Sequence, residues 1–258
     1  TAGDVNNDGI NDILIAAYNA NSAAGKAYVV FGKTNAWTSP ISLSTLNGTN
    51  GFALEGGVAG GQIGVVNTAG DVNNDGINDI IIGAPPMCFC SSGGSVGKTY
   101  VVFGKAGAWN SPFSLNTLNG SNGFVIEGES LDDHSGYAVR AADINNDGVN
   151  DMIVSADNIN AAAGKTYVVF GKASGWTSSI SLSTLNGTNG FALAGVSAGD
   201  ASGNSISTAD INNDGIADIL IGAIFANANT GKTYVVFGDS PPVLVNNSLT
   251  IGEGCAVT

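Results

Sequence analysis

The chain has 258 residues, 43% of them apolar, and a formal net charge of −13 from 8 Lys and Arg against 21 Asp and Glu. This amount of apolar material supports a folded core and argues against intrinsic disorder. The negative charge argues against a nucleic-acid partner, because nucleic-acid phosphates require Lys and Arg. No run of 18 uninterrupted apolar residues occurs, so we expect no transmembrane helix and no direct membrane insertion.

Three phrases recur along the chain and divide it into units. The nonapeptide Asp-x-Asn-x-Asp-Gly-x-x-Asp begins at Asp4, Asp71, Asp143 and Asp210, at intervals of 67, 72 and 67 residues. The phrase Gly-Lys-x-Tyr-Val-Val-Phe-Gly begins at Gly25, Gly97, Gly164 and Gly231, and Leu-Asn-Gly-x-Asn-Gly-Phe begins at Leu46, Leu118 and Leu185. The longer interval reflects five extra residues within 85–96. We expect repeat units at about 1–55, 56–127, 128–194 and 195–239.

Within each unit the pattern predicts four β-strands, which we call A to D in chain order. Strand A, for example 64–69, leads into the acidic nonapeptide; strand B begins at its last Asp (12–16), and strands C and D follow (27–31 and 51–54). The first unit lacks strand A and the last lacks strand D. Strands B and C are continuous apolar runs, typical of sheets covered on both faces, whereas the stretch from Ile41 alternates like a half-exposed edge.

These units predict an all-β fold. Small four-stranded sheets whose faces are buried by their neighbours are the blades of a β-propeller, and about four such blades are present. Helical periodicity is absent, and Gly, Asn and Ser interrupt the apolar runs every few residues. A β-solenoid is the alternative, although its coils are usually much shorter than 67 residues.

The four nonapeptides hold 12 of the 21 acidic residues and predict about four Ca²⁺ sites. Ca²⁺ binds six to eight oxygen atoms from carboxylates, amides, backbone carbonyls and water. Loop positions 1, 3, 5 and 9 offer side-chain oxygens, position 7 offers a carbonyl, and Gly at position 6 permits a sharp turn. The predicted ligands are Asp4, Asn6, Asp8, Ile10 and Asp12; Asp71, Asn73, Asp75, Ile77 and Asp79; Asp143, Asn145, Asp147, Val149 and Asp151; and Asp210, Asn212, Asp214, Ile216 and Asp218.

Other interpretations of these loops fit less well. An EF-hand requires Glu at position 12, where this chain has Ile15, Ile82, Val154 and Ile221. Transition metals favour His and Cys, which the loops lack. The remaining alternative is an Asn-Asp-Gly turn without metal, in which three carboxylates would repel one another.

The phrases Phe103-Gly104, Ile82-Gly-Ala-Pro85 and the loop from Asp71 resemble the FG-GAP repeats of integrin α-subunit β-propellers and their bacterial relatives. The resemblance covers about residues 1–239. It implies a propeller of usually seven blades, structural Ca²⁺ in the loops between strands A and B, and partners bound by loops on the opposite face. We therefore expect that upstream blades complete the ring; the alternative is a compact four-bladed ring.

The end of the chain follows a different pattern. Pro241-Pro242 mark a boundary, and residues 240–258 predict a linker and the start of a following cadherin-like β domain. Neighbouring domains in a longer chain are therefore expected. The three cysteines, Cys88, Cys90 and Cys255, are an odd number and do not support a complete disulfide framework.

Several residues outside the loops have more than one interpretation. His134 beside Ser135 could indicate hydrolysis, but an exposed loop residue is the preferred interpretation. Trp37, Trp109 and Trp176 occupy equivalent positions and are predicted to anchor loops between blades, although a repeated exposed Trp could stack on sugar. The repeated Lys that opens strand C is interpreted as a strand-edge residue.

The sequence therefore predicts a non-enzymatic, Ca²⁺-stabilised module for extracellular recognition or cell adhesion in a secreted or cell-surface protein. A protein or glycan partner would bind opposite the calcium loops, through segments such as 18–24, 55–61, 85–96 and 129–135. The alternatives are a carbohydrate-binding propeller and an accessory domain of a secreted hydrolase such as a phospholipase D-like enzyme. No catalytic group and no cofactor other than Ca²⁺ is predicted.

Overall fold

The computed structural model describes residues 2–56, 63–86 and 96–239, and these form an all-β protein. The strands are β1 Ile13–Ala17, β2 Lys26–Val30, β3 Gly51–Glu55, β4 Val65–Gly70, β5 Asp79–Ala84, β6 Lys98–Val102, β7 Phe113–Ser114, β8 Gly123–Glu127, β9 Val139–Ala142, β10 Asp151–Ala156, β11 Lys165–Val169, β12 Ser179–Ser181, β13 Gly190–Ala194, β14 Ser202–Ala209, β15 Asp218–Ala223 and β16 Lys232–Val236. Three four-residue helices, α1 Ala20–Ala23, α2 Ile159–Ala162 and α3 Ala226–Asn229, lie between strands B and C. No helix in the described ranges has the length and apolarity needed to span a bilayer.

Each unit forms one antiparallel sheet in the predicted order A to D. The second unit is β4-β5-β6-β8, and the third is β9-β10-β11-β13. The fourth unit contributes β14-β15-β16; in the first, β1-β2-β3 is preceded only by the isolated bridge Gly3–Asp12. The prediction of small blade-like sheets is confirmed. The predicted linker and the three cysteines lie outside the described residues.

The stretch before strand D has a role that the sequence did not indicate. β7 of the second unit pairs in parallel with β3 of the first, and β12 of the third unit pairs in parallel with β8 of the second. In these two units the segment is a partly exposed edge strand, as expected, but it crosses over and extends the sheet of the preceding unit. The equivalent Ile41 in the first unit is 40% exposed.

The hydrophobic core lies between neighbouring units. In β5, Ile80 and Ile82 pack in a cluster with the first unit, whereas Ile81 packs in a cluster with the third. A third cluster joins the third and fourth units. Because successive side chains of a strand point to opposite faces, a strand buried on both faces requires the continuous apolar run seen in the sequence.

Strand A lies on the inner side of the assembly. β4 contacts β9, and β9 contacts β14, so the A strands of successive units are adjacent, while strands D lie on the other side of each sheet. This is the arrangement of propeller blades around an axis. Ile13 in the first unit and Ile211 in the fourth are 46% and 47% exposed, so the described residues do not form a compact four-unit ring.

The repeated Trp links adjacent units through aromatic stacking. Trp109 stacks on Phe52 of the first unit with ring centroids 4.2 Å apart and planes 3° apart. Trp176 stacks on Phe124 of the second unit at 4.2 Å and 10°. The prediction that these residues anchor loops between blades is confirmed for both. Trp37, the equivalent in the first unit, is 45% exposed.

The Lys at the start of strand C forms an ion pair across its sheet. Lys26 and Lys98 pair with Glu55 and Glu127 at the ends of the neighbouring D strands. The third unit has Ala194 at the end of strand D, and Lys165 pairs instead with Glu129 from the preceding loop. These residues therefore do more than mark a strand edge: they join the strand ends on the face opposite the acidic loops.

We expect Trp109→Ala to lower the free energy of unfolding by about 3–5 kcal/mol, because it removes a buried indole between two units. Trp37→Ala is the matched control and should cost less than about 1 kcal/mol, since its ring is exposed. Denaturant titration monitored by far-UV circular dichroism measures both. Equal losses for the two variants would contradict the assignment of Trp109 as an anchor.

Candidate metal centre

The acidic loops lie side by side along one end of the sheets. Each follows strand A, or the position of strand A in the first unit, and ends where strand B begins. The Asn78 backbone N–H donates to the Asp4 carbonyl at 3.3 Å, and the Asn150 N–H donates to the Asp71 carbonyl at 3.2 Å. The first three loops thus form a chain of directly bonded neighbours.

The side chains at positions 1, 3 and 5 accept hydrogen bonds from backbone N–H groups of their own loop and hold it in a tight turn. In the first loop, Asp4 accepts hydrogen bonds from the Asp8 and Gly9 N–H groups at 3.0 and 2.7 Å. Asn6 also accepts from the Asp8 N–H, at 3.0 Å, and Asp8 accepts from the Ile10 N–H at 2.9 Å. The same bonds recur in the other three loops. The predicted position-7 residue therefore supplies its N–H to position 5 in every copy.

Two loop positions require left-handed backbone. The Asn at position 4 has φ between 55° and 60° in all four copies, and the Gly at position 6 has φ between 86° and 90°. A Cβ on the position-6 glycines Gly9, Gly76, Gly148 and Gly215 would meet nothing within 4 Å. Glycine is needed there for its backbone conformation and not for space.

The aspartate at position 9 is the most buried group of the loop. Asp12, Asp79, Asp151 and Asp218 are each 0% exposed. One oxygen of Asp79 accepts from the Val72 N–H at 2.9 Å and the other from the Gly104 N–H at 2.8 Å. The equivalent pairs of bonds occur in the other units. This residue therefore ties the start of the loop to the end of strand C.

The second partner of that carboxylate is the glycine of the repeated Phe-Gly pair. In the first unit, a Cβ on Gly32 would lie 2.5 Å from the Asn11 carbonyl oxygen, and the equivalent carbonyl closely approaches Gly104, Gly171 and Gly238. Only glycine can approach the loop closely enough to donate its N–H. The Phe-Gly motif is thus a consequence of the position-9 aspartate.

Burial changes the acidity of the position-9 carboxylates. It raises the pKa of Asp79 to about 8 and that of Asp151 to about 7, and it also raises the pKa of Asp12. In Asp79 the two backbone hydrogen bonds lower the pKa, and the charges of Asp75 and Asp71 raise it again. Burial is the largest cause in all three, because it disfavours the charged form of a carboxylate.

The donor set of each loop fits a hard cation in its chemistry, because it consists of carboxylate, amide and carbonyl oxygens. The hydrogen bonds use one lone pair of each carboxylate oxygen and leave another available. In the chain's described ranges, no group of three or more His, Cys, Asp and Glu side chains is arranged closely enough to hold a metal ion. The carboxylates are instead held by the N–H groups of their own loop.

His134 is not the exposed loop residue that the sequence indicated. Its side chain is 14% exposed, and its Nδ1 lies 3.0 Å from Oδ1 of Asp157, which is also mostly buried. Asp157 also accepts a hydrogen bond from Asn204, and this bond joins the third and fourth units. The Ser135 hydroxyl is buried and makes no hydrogen bond in the described structure, so it does not form a Ser–His pair with His134.

Comparison with known proteins agrees with the repeat pattern. A model of the FG-GAP repeat family matches residues 1–30, 64–102 and 202–236, which contain the first, second and fourth acidic loops. The chain is 30% identical over 237 residues to integrin alpha pat-2 of Caenorhabditis elegans, covering 86% of this chain and 17% of that protein. It is 27% identical over 241 residues to integrin alpha-11 of Homo sapiens, covering 89% and 18%.

The chain is also similar to a protein that is not an integrin. Phosphatidylinositol-glycan-specific phospholipase D of Bos taurus is 29% identical over 171 residues, which cover 64% of this chain and 19% of that protein. The chain spans about a fifth of the length of the curated relatives it matches. The likeness therefore concerns the repeats.

We expect Asp79→Ala to destabilise the protein by about 2–4 kcal/mol in the presence of a chelator, because two buried N–H groups lose their acceptor. Asp75→Ala is the control: its carboxylate is exposed, so water can replace it, and the cost should be under about 1 kcal/mol. Both are measured by denaturant unfolding in metal-free buffer. An Asp79→Ala variant as stable as Asp75→Ala would show that the buried carboxylate does not hold the repeat together.

Proposed function

Because this chain contains FG-GAP repeats, we propose that it is a non-enzymatic, Ca²⁺-stabilised propeller module for extracellular recognition or cell adhesion. The observation that carries the proposal is the loop itself, present in four copies with the same hydrogen bonds. Each copy gathers oxygen donors around one turn and buries a carboxylate at 0% exposure beside it.

The charge of the loops supports a bound cation. Three carboxylates lie within nine residues in every copy, and burial raises the pKa of Asp79 and Asp151. A divalent ion nearby favours the charged form and lowers such a pKa. The ligands would be the side chains at positions 1, 3, 5 and 9 and the carbonyl at position 7, as predicted from the sequence. When bound, Ca²⁺ supplies positive charge and oxygen coordination, which are structural and not catalytic contributions.

The expected gain in stability is modest for each site. With a dissociation constant of about 10⁻⁴–10⁻³ M and about 1 mM free Ca²⁺, each site adds roughly 0.4–1.4 kcal/mol. Four such contributions are comparable with the net stability of a small domain. Extracellular fluid, where Ca²⁺ is abundant, is therefore the environment that suits this module, in a secreted or cell-surface protein.

The partner surface is proposed at the end of the sheets opposite the acidic loops. Large apolar side chains are exposed there, in the B–C and D–A connections: Tyr18, Leu131, Val196, Ile224 and Phe225. Exposed apolar side chains within polar loops are a common feature of protein-binding surfaces. Residues 1–239 would form the module, with residues 240–258 leading to a neighbouring domain.

One observation bears on each of two other functions. An accessory role beside a hydrolase is supported by the similarity to a phosphatidylinositol-glycan-specific phospholipase D. A carbohydrate-binding propeller would need accessible aromatic rings, and Trp109 is only 4% exposed. Sugar binding would therefore have to use exposed rings such as Trp37 and Tyr18, and it is the weaker candidate because the ring does not stay accessible in the next repeat.

We expect Ca²⁺ to raise the melting temperature of the protein, with half-saturation at 0.1–1 mM as an order-of-magnitude range. Asp75→Ala should reduce the rise by removing one site while leaving the metal-free melting temperature nearly unchanged. Differential scanning calorimetry with Ca²⁺, with Mg²⁺ and with a chelator measures the effect. Identical melting in Ca²⁺ and in chelator would refute the calcium proposal.

We expect the double variant Tyr18→Ser with Phe225→Ser to lose binding to a partner identified by screening purified extracellular proteins and a glycan array in Ca²⁺. Ile13→Ser, which alters an exposed apolar residue elsewhere, is the control and should bind normally. Surface plasmon resonance compares the three proteins. Loss of binding in the control alone would place the partner surface elsewhere.

A further inference from the structure

The turns that precede strand D carry the same triplet in three units. Its first residue is Asn, its second is Gly and its third is Thr or Ser: Asn47-Gly-Thr49, Asn119-Gly-Ser121 and Asn186-Gly-Thr188. The Asn and the residue with the hydroxyl group are exposed in all three copies. Asn-x-Ser/Thr is the acceptor sequence for N-linked glycans. We call these segments the Asn triplets.

In each Asn triplet the hydroxyl group lies against the amide of the Asn. The Thr49 hydroxyl donates to Oδ1 of Asn47 at 2.8 Å, and the Thr49 backbone N–H donates to the same oxygen at 3.0 Å. The corresponding bonds are 2.7 and 2.9 Å long in the second unit, and 2.7 and 3.0 Å long in the third. Among the described residues, Nδ2 of these three Asn has no hydrogen-bond partner. The amide nitrogen is therefore available at the surface beside the hydroxyl group.

A second Asn in the same turn is held at both ends of its amide. Asn50 donates from Nδ2 to the Thr45 carbonyl at 3.2 Å, and its Oδ1 accepts from the Asn47 N–H at 3.0 Å. The equivalent residues of the second and third units make the same two bonds. The turn thus binds the oxygen and the nitrogen of this amide, but only the oxygen of the amide in the Asn triplet.

Packing between units accounts for the Gly of the triplet. The Trp109 N–H donates to the Gly48 carbonyl at 3.0 Å, and a Cβ on Gly48 would overlap the Trp109 carbonyl oxygen. A Cβ on Gly120 would lie 2.4 Å from the Trp176 carbonyl oxygen. Both glycines also have a left-handed backbone, with φ of 93° and 92°. These contacts involve the backbone of the Gly and do not require the amide nitrogen of the preceding Asn.

The alternative explanation is that the Asn serves only to close the turn. Asp would accept the same two hydrogen bonds, because both go to the side-chain oxygen. Asp and Asn are both favoured in such turns. All three copies nevertheless have the amide, and the third residue alternates only between the two residues that the acceptor sequence allows. Turn closure therefore explains the oxygen of the Asn but not its nitrogen.

The Asn triplets lie at the end of the sheets that carries the acidic loops. Strand D begins beside the end of strand C, where Gly51 pairs with Val30 in the first unit. The nearby Gly32 N–H donates to the loop carboxylate of Asp12. The partner surface proposed above lies at the other end, where strand D finishes at Glu55. A glycan on each triplet would leave that surface open.

We propose that Asn47, Asn119 and Asn186 are attachment sites for N-linked glycans. Nδ2 of each Asn attacks C1 of the first sugar of a lipid-linked oligosaccharide diphosphate. The Nδ2–C1 bond forms, the C1–O bond to the diphosphate breaks, and the proton on Nδ2 passes to a base of the transferase. The transferase and the donor belong to the secretory pathway, so the proposal rests on the extracellular location proposed above.

The first experiment locates the glycans. The 258-residue chain is expressed behind a cleavable secretory leader in cultured animal cells, with Asn246→Gln to remove its remaining Asn-x-Ser/Thr sequence. Peptide N-glycosidase converts each glycosylated Asn to Asp, which peptide mass spectrometry detects, and we expect this conversion at all three triplets. Thr49→Val, which removes the hydroxyl, should abolish the glycan at Asn47 alone. Thr49→Ser is the matched control and should retain it.

The second experiment separates glycan attachment from turn closure. Asn47→Asp should lose its glycan in the secreted protein. Made in the bacterial cytosol, where this glycan is not added, it should melt close to the parent chain, because the turn keeps both acceptor bonds. Asn50→Asp is the contrast. It replaces a donor that is bonded to the Thr45 carbonyl, so it should lower the melting temperature and leave the glycan on Asn47.

Three results would overturn the proposal. The first is the absence of glycan from all three triplets in a secreted chain that melts cooperatively. The second is a glycan that remains on Asn47 in the Thr49→Val variant. The third is a fall in melting temperature for Asn47→Asp as large as that for Asn50→Asp, which would assign the whole amide to the turn.

The calcium proposal is tested separately, by melting the cytosolic chain in Ca²⁺ and in chelator. A chain that receives no glycan but melts higher in Ca²⁺ would refute the glycan sites alone. A glycosylated chain whose melting is the same in Ca²⁺ and in chelator would refute the calcium proposal alone.

Discussion

The buried carboxylate at position 9 of each acidic loop is the interaction on which the repeat depends. In the second unit, Asp79 accepts hydrogen bonds from the start of its loop and from Gly104 at the end of strand C. A carboxylate this deeply buried is costly unless its oxygens are paired, so both N–H groups must be held in place. Three features of each repeat therefore depend on one another: the loop conformation, the first residue of strand B and the Phe-Gly pair.

Contacts between neighbouring units also stabilise the fold. Each sheet is too small to bury two apolar faces by itself, so its stability depends on a neighbour on either side. The three core clusters lie at the three boundaries between units, and the side chains of β5 alternate between two of them. The stacked Trp109 and Trp176 and the hydrogen bond from Asn204 to Asp157 reinforce the same boundaries.

Repetition made most of the fold predictable from the sequence. Strands B, C and D were located to within a few residues, because apolar runs and glycines recur at constant spacing. The crossing of β7 and β12 was missed, since Phe113-Ser114 and Ser179–Ser181 carry no local signal of which sheet they join. The oxygen-rich residues of the loops were evident, but the sequence could not show that Asp79 would be fully buried against Gly104. His134 was misjudged because its partner Asp157 lies 23 residues away.

Because the parallel strands β7 and β12 pair with the sheets of the preceding units, the spatial order of the units depends on an intact chain. The second and third units each contribute a strand to the sheet before them, so unfolding of one of these units withdraws that strand from its predecessor and uncovers an apolar face of its successor. Loss of structure then spreads in both directions. The array therefore behaves as a single cooperative body, in which a proteolytic cut within residues 104–112 weakens two sheets at once.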